Sequence, residues 1–294
     1  MKRKELISLI FVIPALAAIF ALTLYPILRG IDISLTDKLL SYDKYSYIGL
    51  ENYINILKDD MFWLALQHTA VITIISSIII LILSLALALL LNMKFPLRKF
   101  FRGILMIPWV VPSVVSVLIF RWIYNDYYGY INYILVKYHI LDQAVNILAD
   151  EKLAWLGVII PIVWKEYPFA MLIFLASLQS IDKNLYEAAK IDGASRLQVF
   201  KEITLPLLKP AFVILGILEI IWMFSSFDTI FLLTRGGPDN STITLSIYTY
   251  MQAFESTEFG YGSALATIMF LILFAVSIVY FIFVNRESWS KKTS

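Results

Sequence analysis

The sequence predicts an all-α membrane protein, and three observations carry that prediction. Hydrophobic residues make up 60% of the 294 positions and the mean hydropathy is +0.78, more than a water-soluble globule of this length carries. Six apolar runs are long enough to cross a bilayer, which takes about 20 residues of helix. Basic residues collect in alternate intervals between those runs, the charge pattern of a chain threaded back and forth through a membrane.

The runs lie near 6–28, 69–91, 103–124, 155–178, 211–233 and 263–284. The first follows Lys2, Arg3 and Lys4; its apolar part is too long for a cleaved signal peptide, so it reads as a retained anchor. Further basic clusters are Lys94, Arg98, Lys99 and Arg102; Lys183, Lys190, Arg196, Lys201 and Lys209; and Arg286, Lys291 and Lys292. The positive-inside rule then places both termini and the interval 181–210 in the cytoplasm. Intervals 29–68, 125–154 and 234–262 become outer loops, with Trp63, Tyr127, Tyr128 and Tyr130 suited to the membrane interface. The chain reads as a single membrane domain, 1–294, in a plasma or inner membrane.

Composition removes several chemistries. Cys is absent, which excludes disulfides and thiolate sites. His68 and His139 are the two imidazoles, far apart in sequence, so no metal site is expected. A formal net charge of +2 leaves no nucleic-acid footprint. No Gly-x-x-x-x-Gly-Lys-Ser/Thr phosphate loop occurs, so any ATP hydrolysis belongs to another chain and no enzyme activity is expected here.

The polar interval 181–209 reads as helix, turn, helix. Asp182 or Asn184 can cap the first helix, and Gly193 supplies a left-handed stop. Ser195 and Gln198 have the spacing of a capping box for the second, which Pro206 ends. On these grounds alone it can be an amphipathic linker lying on the membrane surface. Glu187-Ala-Ala-Lys-Ile-Asp-Gly193, followed by Ile203-Thr-Leu-Pro-Leu207, resembles the EAA loop of binding-protein-dependent ABC importers. That resemblance implies the type I ABC importer fold of six spans. It implies that Tyr186, Glu187, Ala188, Ala189, Asp192 and Gly193 couple the membrane domain to an ATPase. Ile48-Gly-Leu-Glu-Asn-Tyr53 with Phe62-Trp63, and Thr234-Arg-Gly-Gly-Pro238, are similar to sugar-importer permeases. Locally they read as a surface turn with an interfacial aromatic pair, and as a tight turn in which Gly236 and Gly237 permit positive φ.

Lys165, Glu166, Glu219 and Asp228 fall inside the expected spans, where a lone charge costs at least about 2.5–3.5 kcal/mol. They should face protein, water or one another. Opposite signs suggest a Lys165–Glu219 bridge, either pinning two helices or forming the polar wall of a path. Pro108, Pro112, Pro161 and Pro168 should bend the third and fourth spans, as ordinary kinks or as part of a moving cavity. Three stretches are similar to the maltose-importer type of permease: Pro108-Trp-Val-Val-Pro-Ser113, Trp164-Lys-Glu-Tyr-Pro168 and Phe224-Ser-Ser-Phe-Asp-Thr-Ile-Phe-Leu-Leu-Thr-Arg-Gly-Gly-Pro238. The resemblance places sugar contacts on Trp109, Ser113, Ile162, Lys165, Glu166, Phe169, Glu219, Met223 and Ser226. Ser113 alone keeps a polar type, so the location of the site carries over without the identity of the sugar.

The family resemblance implies a heterodimer with a second permease, two ATPase subunits that bind ATP and magnesium, and an extracytoplasmic solute-binding protein that delivers a sugar or oligosaccharide. No cofactor is expected on this chain. Rival readings are an ion-coupled carrier using Glu166, Glu219 or Asp228, and a permease of the same family for a solute such as glycerol phosphate.

Overall fold

The computed structural model describes residues 12–290, with the side chains of 12–282 and 284. The expected clusters Lys2, Arg3, Lys4 and Lys291, Lys292 lie outside the described residues, as do the side chain of Arg286 and the start of the first expected span. Every regular element among the described residues is helical, apart from one isolated bridge between Thr36 and Tyr47. Among the described residues five helices are long and apolar enough to cross a bilayer, and a bent pair makes a sixth if counted as one span.

Helix α1 covers Val12–Ser34. A short α2, Glu51–Lys58, precedes the 33-residue α3, Asp60–Asn92. Both long helices run past the apolar stretches that mark them, because hydropathy reports the lipid-buried part of a helix and not its ends. The third expected span is two helices, α4 (Arg98–Val110) and α5 (Ser113–Ile123), which meet at 97°. Pro108 stays inside α4, while Val111 and Pro112 are extended, with ψ of 129° and 143°. A residue before proline is disfavoured in the helical region; Val111 before Pro112 leaves it, whereas Ile107 before Pro108 stays helical. After α6 (Tyr130–Lys137) comes α7 (Glu151–Ser180), opened by Asp150, whose carboxylate accepts from the amides of Lys152 and Leu153. Pro161 and Pro168 lie buried within α7 without ending it.

Helix α8 is Lys183–Ile191, and α9 is Arg196–Val199, which continues through a wide π turn at Phe200–Thr204. The fifth expected span holds α10 (Lys209–Phe224) and α11 (Asp228–Thr234), separated at Ser225–Phe227. Asp228 is therefore an exposed first-turn residue, where the helix dipole favours a carboxylate, and not a mid-helix charge. The chain closes with α12 (Leu245–Tyr250) and α13 (Phe259–Ser290).

Packing divides the chain into two units, one made of the residues up to Ala65 with Leu245–Ala275, the other of Leu66–Thr244 with the residues from Val276 on. In the first, the segment expected as a surface turn is a buried clasp. Asn52 donates to the carbonyls of Ser34 and Thr36, both at 2.9 Å, and Tyr53 shares a 2.6 Å hydrogen bond with Ser34. The aromatic pair after it splits, with Phe62 buried and Trp63 exposed. Asp59 accepts from the hydroxyls of Tyr248 and Tyr261. Burial first, then the bond to Asp59, pushes the Tyr248 hydroxyl above its ordinary pKa. Asn52→Leu strips two buried carbonyls of their donor and is expected to cost about 1–3 kcal/mol. Thermal unfolding of the purified protein should begin several degrees lower, while the exposed Asn55→Leu leaves it unchanged.

The second unit is built around α7. Its apolar window is 61% buried, against 33% for α3 and 28% for the α10–α11 stretch, so α7 is the core helix and the others leave apolar faces open. It packs against α4, α5, α10 and α11. Ser84 of α3 donates to the Tyr167 carbonyl at 2.8 Å, the short polar link that lets membrane helices approach closely. The turn after α11 is closed by Thr242, which bonds Thr234 and the Gly237 carbonyl, both at 2.8 Å. Gly236 alone of the two glycines takes positive φ, at 86°, and a Cβ there would meet Ile243 at 3.3 Å. Arg235, Asp239 and Asn240 take the other left-handed positions.

Candidate functional site

Two polar regions of the second unit hold the residues singled out from sequence. The first lies where α4, α7 and α10 pack. The Trp109 ring is 5.9 Å from Phe169, and Phe169 is 5.1 Å from Trp222, so three helices contribute to one aromatic row. Trp109 and Trp222 keep 45% and 38% of their surface exposed, which leaves ring faces free to stack on a ligand. Trp222 was not among the sequence candidates. Its signal was present, since it lies three residues after Glu219 and shares that helix face.

The expected Lys165–Glu219 bridge does not form. The Lys165 ammonium donates to the Val111 carbonyl at 2.8 Å instead. Val111 sits at the break between α4 and α5, where the extended chain leaves its carbonyl without a helical amide, and the lysine satisfies it. Ser113, half-buried, opens α5 two residues on. Glu219 is completely buried and neither carboxylate oxygen has a hydrogen-bond partner. Glu166, half-buried, is its electrostatic neighbour. Ile162 and Met223 are buried within this chain, so a ligand reaches them only after helices part, and Ser226 is half-buried at the break before α11. Among the described residues no group of three or more His, Asp or Glu could hold a metal.

The second region is α8 with its flanking turns. Asp182, not Asn184, is the cap, accepting from the Asn184 amide at 3.0 Å. Asp192 ends the helix and Gly193 follows at φ 74°, its amide donating to the Lys190 carbonyl. The capping box is complete: the Ser195 amide donates to Gln198 Oε1 at 2.8 Å, and the Gln198 amide to Ser195 Oγ at 3.3 Å. No residue of α8 is buried, and Leu185, Ile191 and Leu197 project apolar surface, Ile191 at 86% exposure. Glu187, Ala188 and Asp192 are exposed; Ala189 is half-buried. Tyr186 is half-buried and its hydroxyl meets Thr204 Oγ1 at 3.2 Å, tying α8 to the π turn that leads to α10. The helix is thus tethered at Tyr186 and carries an uncovered apolar edge.

These features define a polytopic helical membrane protein with a polar seam inside its spans and a capped helix projecting between two of them. The family described as "Binding-protein-dependent transport system inner membrane component" matches residues 79–288. The chain is 35% identical over 281 residues to the sulfoquinovosyl glycerol transport system permease protein SmoG of Agrobacterium fabrum, covering 94% of this chain and 89% of that one. It is 34% identical over 278 residues to the trehalose/maltose transport system permease protein MalF of Thermococcus litoralis, covering 95% and 93%. The crystal structure of a bacterial ABC transporter involved in the import of the acidic polysaccharide alginate contains a chain of the same fold, with a TM-score of 0.84 at 20% identity over 97% of this chain and 96% of that one. The chain belongs to the family of binding-protein-dependent transport system inner membrane components.

Proposed function

We propose that this chain is one transmembrane subunit of an ATP-driven importer and translocates a sugar or oligosaccharide delivered by an extracytoplasmic binding protein. The observation that carries the proposal is α8: a helix capped at both ends, buried nowhere, and tied through Tyr186 and Thr204 to the chain entering α10. Relatives named for sulfoquinovosyl glycerol, trehalose/maltose and lactose transport support the sugar class. In this reading the chain is a single membrane permease domain of six spans, counting α4 and α5 as one, with both termini and the 181–209 loop cytoplasmic. A second, similar permease completes the pathway. Two ATPase subunits hold ATP and magnesium, and their hydrolysis supplies the driving force. Tyr186, Glu187, Ala188, Ala189, Asp192 and Gly193 carry the ATPase motion into the spans. Sugar stacks on Trp109, Phe169 and Trp222, while Ser113, Lys165, Glu166, Glu219 and Ser226 meet its hydroxyls as Ile162 and Met223 are uncovered.

The test is uptake into proteoliposomes holding the assembled transporter. Uptake should require ATP and the binding protein together. Trp222→Ala should lower it about tenfold, equivalent to about 1.4 kcal/mol of lost stacking and apolar contact. Uptake driven by an ion gradient with the ATPase absent would overturn the proposal.

A further inference from the structure

A cavity of about 680 Å³ opens between the C-terminal end of α3, the start of α4, the end of α7 and the start of α8. Lys94, Arg98, Arg102 and Lys183 stand on its wall, and no carboxylate lines it. Arg102 Nε and Nη2 are buried there without a hydrogen-bond partner. An uncompensated guanidinium is strongly unfavourable, so the site is built for an anion that arrives from outside the chain. Helix α4 adds to the same field: it begins after Leu97, at φ 61°, with no side-chain cap, so its positive end is unneutralised.

A second cavity of about 420 Å³ adjoins the first and shares Lys94 and Phe95 with it. Its other walls are apolar, from Leu90, Leu91, Met93, Phe101 and Leu105 among others. A free phosphate or an acidic side chain would use the first cavity and leave the second empty. A molecule with a negative head and a hydrocarbon tail uses both. We propose that an anionic phospholipid binds here, its phosphate between Arg98 and Arg102 and one acyl chain along the groove of α3 and α4. Basic pockets beside spans recognise anionic headgroups in this way, and a zwitterionic lipid would leave the excess positive charge uncompensated. Lys183 and Tyr186 of α8 also line the headgroup cavity, so its occupant steadies the start of the docking helix. That last step rests on the coupling role proposed for α8; the lipid site does not.

The experiment compares the assembled transporter in nanodiscs of phosphatidylcholine alone and with added phosphatidylglycerol, with native mass spectrometry to count retained lipid. The wild type should retain phosphatidylglycerol, unfold about 3–5 °C higher in the anionic discs, and hydrolyse ATP under tighter control by the binding protein. The Arg98→Gln/Arg102→Gln variant should lose the retained lipid and the thermal shift. In phosphatidylcholine it should be no less stable than wild type, since the unpaired guanidinium is gone; this separates lost binding from misfolding. Equal lipid retention by variant and wild type would overturn the site. Inorganic phosphate giving the same thermal shift in phosphatidylcholine would replace lipid with a free anion, and release of the ATPase subunits from the variant would replace it with a protein contact; either overturns the proposal. Lipid retention with unaltered hydrolysis would uphold the site and overturn only its effect on α8.

Discussion

Gly193→Pro is expected to reduce ATP-driven uptake at least tenfold while leaving the protein inserted and assembled. Gly193 holds φ 74°, and proline is fixed near −65°, so the chain cannot turn after Asp192 as it does now. The substitution also removes the amide that donates to the Lys190 carbonyl at 3.2 Å. With that turn lost, α9 and its capping box no longer fix the direction in which α8 projects. No neighbour lies within 4 Å of a Cβ built at Gly193, so backbone conformation and not crowding decides the outcome. Gly193→Asn should therefore keep most activity, because asparagine tolerates the left-handed region, and Gly193→Ala should fall between at a strain of about 1–2 kcal/mol. Glu187→Lys should abolish uptake by another route, reversing charge on an exposed face without touching the helix. Uptake and binding-protein-stimulated ATP hydrolysis, measured together, check the series. A proline variant with normal stimulated hydrolysis would remove α8 from the coupling path.

That series was legible in the sequence because caps are local: Asp182, one of the two caps the sequence offered with Asn184, Gly193 and the Ser195–Gln198 pair act within four residues of themselves, and the structure has all three. The long helices were legible for a similar reason, since a bilayer demands unbroken apolar length. Helices α2, α6 and α12 were not, being six to eight residues long and set in intervals read as outer loops. Pro112 was recognised as a bend, but its 97° consequence depends on what covers Val111 once the helix opens. That cover is the Lys165 ammonium, and here sequence reasoning failed: opposite charge suggested Glu219 as its partner, whereas a carbonyl released 54 residues earlier takes the bond. The resemblance placed contacts on Glu219, Met223 and Ser226 and not on Trp222, and the aromatic row that Trp222 completes exists only when three helices pack together.

Glu219→Met is expected to raise the stability of the transporter and lower its uptake about tenfold. Both carboxylate oxygens are buried without partners and Lys165 is engaged elsewhere, so this conformation bears an uncompensated polar group costing on the order of 1–3 kcal/mol. Methionine has nearly the same length, fills the same space and carries no such penalty. On the proposed function, that carboxylate acquires its partners in another conformation. If α7 and α10 part to admit a sugar, ring hydroxyls can donate to Glu219 and to its neighbour Glu166 in charge-assisted hydrogen bonds. The unpaired state shown here is then raised in free energy relative to the open, substrate-filled one, and the equilibrium moves with substrate. Removing the penalty should trap the chain in the closed packing, with a higher unfolding temperature, slower uptake, and retained dependence on ATP. An ion-coupled carrier would instead lose its ion dependence in Glu219→Met, and a purely structural glutamate would leave uptake at the wild-type rate. Thermal unfolding and uptake of one variant, read side by side, separate the three.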